Sequence, residues 1–211
     1  MSLNIIGAGA QAKYVLDMTN SNSYKNINIY SDNKKKIGKS IGFIKINDLK
    51  EFQPTENCKV FISNGNNIKK EYIYIDLFKK EKSIIYPKFI SIRASISKSS
   101  FIRQGVLINP FANIGPYSDI GCFCMIHSGV SIEHDCIIDD FVNIAPGVKM
   151  AGGVTVGRYS YIFTGSVIIP NIKIGKNSII AAGSVVTKDV PDNVMVAGCP
   201  AVIKRENYFN N

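Results

Sequence analysis

Ile114-Gly115-Pro116-Tyr117-Ser118-Asp119-Ile120-Gly121-Cys122-Phe123-Cys124-Met125-Ile126 repeats its pattern every six residues. The spacing extends in both directions. Ile90, Ile96, Ile102, Ile108, Ile114, Ile120, Ile126, Ile132, Ile138, Ile144, Met150, Val156, Ile162, Ile168, Ile174, Ile180 and Val186 are all aliphatic or Met. The residues four places after each, from Ala94, Ser100 and Val106 to Ser178, Ser184 and Val190, are nearly all small and never charged. An unbroken period of this kind marks a repeat architecture. Position i+4 and the next i lie two apart, so both face inward on one strand, while i+5 and i+1 face outward. Positions i+2 and i+3 must turn the corner. Gly recurs at i+1 (Gly115, Gly121, Gly157, Gly175) and at i+3 (Gly105, Gly129, Gly147, Gly165, Gly183), which reads as tight turning. Three hexapeptides close a triangular coil of 18 residues, and coils stack at about 4.8 Å. Residues 18 apart then lie directly above one another, in a solenoid from about Ile90 to Val190.

Upstream the pattern changes. Leu3 to Ile6 reads as a buried strand, followed by Gly7-Ala8-Gly9-Ala10-Gln11-Ala12 and a helical pattern through Val15 and Leu16. A second strand, Ile27 to Tyr30, ends at Ser31-Asp32-Asn33. A third, Lys59 to Ser63, ends at Asn64-Gly65-Asn66-Asn67. Ile68 to Lys80 reads as a helix and Ser83 to Tyr86 as a fourth strand. The expectation is a small α/β unit with a parallel sheet, residues 1–88, ahead of a solenoid domain over 89–211. A Gly-rich strand-to-helix turn presents backbone N–H groups to a phosphate, and Asp32 falls where a dinucleotide motif places an acid. The unit is short for a full dinucleotide site, so a nucleotide or pyrophosphate cradle stands beside the plainer reading of a tight turn.

The chain has two histidines. His134 falls at a corner with Asp135 beside it, and Gly152 lies one coil above. A base, its orienting carboxylate and an oxyanion-stabilising N–H would meet there. An outward corner histidine can equally be a plain surface residue. His127, at i+1, is placed about 13 Å or more from His134 at the other end of the same strand, so the two could share a site only across a subunit interface. Zinc-type solenoid carbonic anhydrases need three His ligands, and two distinct positions do not supply them; no metal is expected.

Ile132-Glu133-His134-Asp135-Cys136, then Asp140-Phe141-Val142-Asn143-Ile144-Ala145-Pro146-Gly147, the Gly152 corner and the tail Val196-Ala197-Gly198-Cys199-Pro200-Ala201 resemble the PglD/NeuD sugar acetyltransferases. Gly7-Ala8-Gly9, Ser31-Asp32 and Gly65-Asn66-Asn67 match as well, so the resemblance spans essentially the whole chain. It implies a left-handed β-helix, although the usual crossover rule favours right-handed connections. It also implies a homotrimer with sites between subunits, His134 as base, Asp135 raising its basicity, and the Gly152 N–H on the thioester oxygen. Asn143, Thr164, Ala182 and Pro200 fall where relatives bind acetyl-CoA. Gly9, Ala10, Gln11, Asp32, Asn33 and Gly65 fall where relatives hold the nucleotide sugar, and His127 is grouped with them. Relatives often carry Gly-His in place of Ala10-Gln11, a second acid in place of Asn33 and a His in place of Asn143. The expected activity is N-acetylation of a UDP- or dTDP-linked 4-amino-4,6-dideoxy sugar for surface-glycan synthesis. Sialic acid O-acetylation is the enzymatic alternative, and a non-catalytic nucleotide-sugar-binding solenoid supporting a partner enzyme is the other.

The bulk properties agree. Hydrophobic residues make up 45% of 211, enough for a core. The net charge is +9, but Lys and Arg form no stripe, which argues against nucleic acid. Polyanions such as CoA or a nucleotide sugar suit that charge better, unless the Lys richness is a base-composition bias. Lys34-Lys35-Lys36 reads as a solvated loop. Five cysteines, an odd number, and no signal peptide lead us to expect a reducing cytoplasm without a disulfide framework. No apolar run approaches the roughly 18 residues of a membrane-spanning helix.

Overall fold

The computed structural model describes residues 2–19 and 24–207. Its contacts divide the chain into two units, 1–89 and 90–211.

In the first unit, β1 (Ser2–Ile6) pairs in parallel with β2 (Asn26–Ser31) and, on its other side, with β5 (Lys59–Ile62). Leu3, Ile5 and Ile6 are buried, as a central parallel strand covered on both faces requires. Helix α1 (Ala10–Met18) buries Ala12 and Val15. Gly7, at φ +110°, permits the turn between them: a Cβ there would stand 2.6 Å from Ser63 O at the end of β5. Helix α2 (Asn67–Lys80) starts at Asn66, whose side chain accepts from the Lys69 N–H and caps the first turn.

Two expectations are corrected here. Ser83 to Tyr86 forms only an isolated bridge, Lys59 with Ile85, and no strand. The sheet is also mixed: β3 (Ser40–Ile41) and β4 (Ile44–Asp48) form an antiparallel hairpin, giving the order β3-β4-β2-β1-β5. A two-residue strand carries no alternation to read.

The second unit is a triangular parallel β-helix. Its first face stacks the strands at Phe89–Ile90, Leu107–Ile108, Met125–Ile126, Asn143–Ile144, Tyr161–Ile162 and Ile179–Ile180. The second face runs from Ser95–Ile96 to Val185–Val186, the third from Phe101–Ile102 to Lys173–Ile174. Met125 pairs with Asn143, Ser131 with Lys149 and Ile137 with Thr155, so the register between coils is 18 throughout these pairs. The aliphatic row from Ile108 to Val186 is buried. Ile90, in the first coil, is 37% exposed, and Ile96 and Ile102 are half-buried. The inward serines are satisfied: Ser118 Oγ donates to Glu133 O at 2.7 Å and Ser160 Oγ to Gly175 O at 2.6 Å, which removes the cost of burying a hydroxyl.

The two glycine columns have different causes. Every i+3 corner residue from Gly105 to Gly183 takes a positive φ, including Phe111, Asp135 and Asn171. The i+1 glycines do not. They are small because the next coil passes against them: a Cβ on Gly157 would lie 2.6 Å from Lys176 N and on Gly115 2.7 Å from Glu133 C. Gly157→Ala therefore forces backbone apart and is expected to destabilise by about 2 kcal/mol or more, read as a lowered urea midpoint. Gly129→Ala meets open space and faces only its φ of +68°, so we expect a smaller loss.

Tail strands Val194–Gly198 and Ala201–Glu206 close the stack as an antiparallel hairpin.

Candidate active site

The corner between the second and third faces carries His134, with Asp135 at φ +58° following it. His134 Nδ1 lies 2.7 Å from Asp135 Oδ2. An ionised carboxylate only accepts, so Nδ1 carries the proton and the neutral ring keeps its lone pair on Nε2. Both side chains are well exposed, 63% and 62%. One coil above stands Gly152. Its missing side chain leaves room for the imidazole, since a Cβ there would lie 2.5 Å from both His134 Cε1 and Nε2.

The N–H at this corner is open, as are those of Ser128, Thr164 and Ala182 at the same position of the repeat among the described residues. Between the third and first faces, the equivalent N–H groups of Cys122 and Lys176 are capped by Asp140 Oδ1 (2.7 Å) and Asp192 Oδ1 (2.8 Å). Gly152 N–H has no acceptor among the described residues, while Gly152 O accepts from Asn171 N–H at 3.0 Å. An uncapped donor and an imidazole Nε2 therefore meet at one corner. Beside it, Glu133, with Ser131, Lys149 and Ala151, lines a cavity of about 220 Å³, and Ser131 Oγ donates to Glu133 Oε1 at 2.9 Å. The cysteines offer no competing nucleophile there: burial pushes the Cys136 and Cys122 thiols up, away from the thiolate.

Thr164 and Ala182 occupy a different edge, between the first and second faces. They stack 18 apart, in the i+2 row with Pro146 and Ser128. The adjoining row is Gly129, Gly147, Gly165 and Gly183, and a Cβ on any of the four would meet nothing within 4 Å. A narrow, side-chain-poor ridge of this kind fits an extended thioester arm. Pro200 follows a cis bond in the tail hairpin, where Gly198 N–H donates to Ser184 Oγ at 3.3 Å, close to the Ala182–Gly183 corner.

His127 ends the first face and is not on the strand leading to His134, as the spacing had been read. Its Nε2 lies 3.0 Å from Asn143 Oδ1 and its Nδ1 3.4 Å from Asn109 Nδ2. Asn143 is fully buried. These bonds hold His127 between the Asn109 and Asn143 side chains.

In the first unit, Gln11 bridges two of the expected loops. Its Oε1 is 3.5 Å from where a Gly9 Cβ would be, and its Nε2 3.5 Å from that of Gly65. Asp32 pairs with Lys69 Nζ at 2.5 Å, both half-exposed. Asn33 Oδ1 accepts from the Lys35 N–H at 3.0 Å, so that side chain shapes its own turn. Ala8, Gly9 and Ala10 line a cavity of about 310 Å³ with Lys13, Lys36 and Lys39. The sequence reading did not single out Lys13 or Lys39, and it left Lys36 in solvent. Among the described residues no group of three or more His, Cys, Asp or Glu could hold a metal, and no helix is long and apolar enough to cross a membrane.

Residues 2–77 match the PglD N-terminal domain, and residues 153–188 match the bacterial transferase hexapeptide family. The resemblance read from the motifs thus holds in both halves of the chain. The GDP-perosamine N-acetyltransferase of Escherichia coli O157:H7 is 40% identical over 75 residues, 34% of either chain. The chain spans about a third of the length of the first curated relatives it matches. The likeness to solved structures covers nearly all of it. PerB from Caulobacter crescentus, in complex with CoA and GDP-perosamine, superposes with a TM-score of 0.86 at 27% identity, over 97% of this chain and 98% of that one. The acetyltransferase domain of PglB from Neisseria gonorrhoeae, in complex with acetyl coenzyme A, gives 0.85 at 27%, over 96% and 98%. The solenoid is the left-handed β-helix of these hexapeptide transferases.

Proposed function

From a chain that joins a PglD N-terminal domain to a left-handed hexapeptide β-helix, we propose an acetyl-CoA-dependent N-acetyltransferase acting on a nucleotide-linked amino sugar. The observation that carries this reading is the uncapped Gly152 N–H beside His134 Nε2. The acceptor amine attacks the thioester carbonyl, His134 Nε2 takes its proton, and the Gly152 N–H donates to the oxygen as it gains charge. Asp135 holds the tautomer and stabilises the imidazolium. Breakdown of the tetrahedral species forms the acetamide and expels CoA as its thiolate, which takes the proton from the His134 imidazolium and returns the base to its neutral form.

Acetyl-CoA is the donor, and Asn143, Thr164, Ala182 and Pro200 are its proposed contacts. Thr164 and Ala182 lie on a different edge of the prism from His134, so one copy's donor ridge does not adjoin its own base. That separation favours a homotrimer in which neighbouring copies complete each site. The nucleotide portion of the acceptor is assigned to the first unit, around Gly9, Ala10, Gln11, Asp32, Asn33 and Gly65. The acceptor proposed is a 4-amino-4,6-dideoxy sugar destined for surface glycan. The relatives named above favour guanosine diphosphate as carrier, where the sequence alone led to UDP or dTDP. A cytoplasmic location is part of the same proposal, since acetyl-CoA and nucleotide sugars are its substrates.

The test is acetyl transfer from acetyl-CoA to GDP-, UDP- and dTDP-linked amino sugars, followed by mass spectrometry. Turnover is expected with at least one amine acceptor. Exclusive turnover of sialic acid hydroxyls, or none at all, would overturn the reading. Asp135→Asn should keep acetyl-CoA binding and lower kcat by about tenfold or more, because an amide neither fixes the tautomer nor balances the imidazolium.

A further inference from the structure

The corner that carries His134 is notched one coil above it. Gly152 and Gly153 bring no side chain to that level, with His134 and Asp135 below and Pro170 and Asn171 above. The imidazole fills the space beside Gly152 from below. The space beside Gly153 is filled from above: a Cβ there would run into Asn171 Oδ1. Consecutive Cα atoms lie about 3.8 Å apart, so the ring and the amide reach into neighbouring halves of one notch. Backbone bonds fix both walls, with Gly153 N–H donating to His134 O at 2.9 Å and Asn171 N–H to Gly152 O at 3.0 Å.

The fold does not account for the Asn171 amide. Its φ of +60° is one that asparagine tolerates well, but Phe111, Tyr117 and Tyr159 take the same kind of corner at +63°, +58° and +65°. Asn177, in the matching row of another edge, spends its amide on the chain: Nδ2 donates to Asn193 Oδ1 at 2.8 Å and to Asn207 O at 3.0 Å. The Asn171 side chain is exposed and makes no hydrogen bond among the described residues. Pro170 has no N–H, and the Asn171 N–H is engaged by Gly152 O. The amide is therefore the donor that the upper coil brings to the notch.

We propose that the Asn171 side-chain amide binds the acceptor sugar, holding the hydroxyl on the carbon next to the reacting amine while that amine lies at His134 Nε2. This rests on the acetyl transfer argued above and deepens it: a 4-amino sugar with a free 3-hydroxyl is a vicinal amino alcohol, and its two polar groups match the two polar ends in the notch. An amide both donates and accepts, so it serves a hydroxyl in either sense. A second fixed point on the ring also limits the directions in which the amine can face the thioester carbon.

The experiment measures acetyl transfer and calorimetric binding in the full chain. The acceptors are GDP-, UDP- and dTDP-linked 4-amino-4,6-dideoxy sugars, each beside its 3-deoxy analogue, with wild type and Asn171→Gly. Gly suits the positive φ, so the variant should keep a melting temperature near wild type while it loses the amide. One neutral hydrogen bond is worth about three- to tenfold. Asn171→Gly should lower kcat/KM and affinity for the parent acceptor by about that factor and leave KM for acetyl-CoA alone. The 3-deoxy analogue should lose as much in the wild type and nothing further in the variant, a coupling that a merely structural loss does not produce. Equal kcat/KM for the parent acceptor in both enzymes, or two losses that simply multiply, would overturn the assignment. The two readings fail separately. Coupled losses in binding without acetyl transfer sink the acetyltransferase and keep the contact. Acetyl transfer indifferent to Asn171 does the reverse. No binding of any of these sugars overturns both.

Discussion

His134→Ala is expected to lower kcat/KM for acetyl transfer by about 10²- to 10⁴-fold, the range for removal of a positioned general base. The side chain is 63% exposed and its ring makes one hydrogen bond, to Asp135, so its loss costs the fold little. Far-ultraviolet circular dichroism and the melting temperature should therefore stay near wild type while turnover collapses. Acetyl-CoA binding should persist, because Thr164 and Ala182, assigned to the donor, lie on another edge. Near-wild-type turnover in a folded variant would remove His134 from the mechanism.

Gly152→Ala is the second large effect, and it acts through the same corner. The added methyl would stand 2.5 Å from two ring atoms of His134, so the imidazole must swing away. Gly152 has no positive φ to strain, and the group that gives way is an exposed side chain. Stability should fall by less than in Gly157→Ala, where the obstacle is backbone. The catalytic penalty combines a displaced base with a shielded oxyanion donor, and removal of one such donor alone costs about 10²–10³ in kcat. We expect a loss of at least that size in kcat with KM for acetyl-CoA changed little. A Gly152→Ala enzyme that turns over normally would mean that neither the ring position nor the N–H is used.

The candidate site was readable in part because a solenoid turns sequence distance into height. The interval between His134 and Gly152 is one coil, so the stacking of glycine over histidine followed from counting. The same counting separates Thr164 and Ala182 from His134, since their intervals are not whole coils. They belong to another edge, and the idea of a site completed by a neighbouring copy gains a geometric reason from that. The i+1 glycines were visible in the pattern, but their cause was not. Only coordinates show the next coil's backbone at the position a Cβ would take.

The first unit was less legible. One strand of its hairpin, Ser40–Ile41, is too short for alternation to register, the alternation of the other, Ile44–Asp48, was passed over, and Lys34-Lys35-Lys36 looks like any solvated run. The position of Lys36 depends on Ala8, 28 residues earlier. The six-residue period was enough for the β-helix, its inward rows and the His134–Gly152 corner, because each follows from burial acting on a local, repeating spacing. The Lys36–Ala8 contact, the His127–Asn143 contact and the open Gly152 N–H needed the folded chain, because each is set by what a different part of the chain does, or fails to do, at that point in space.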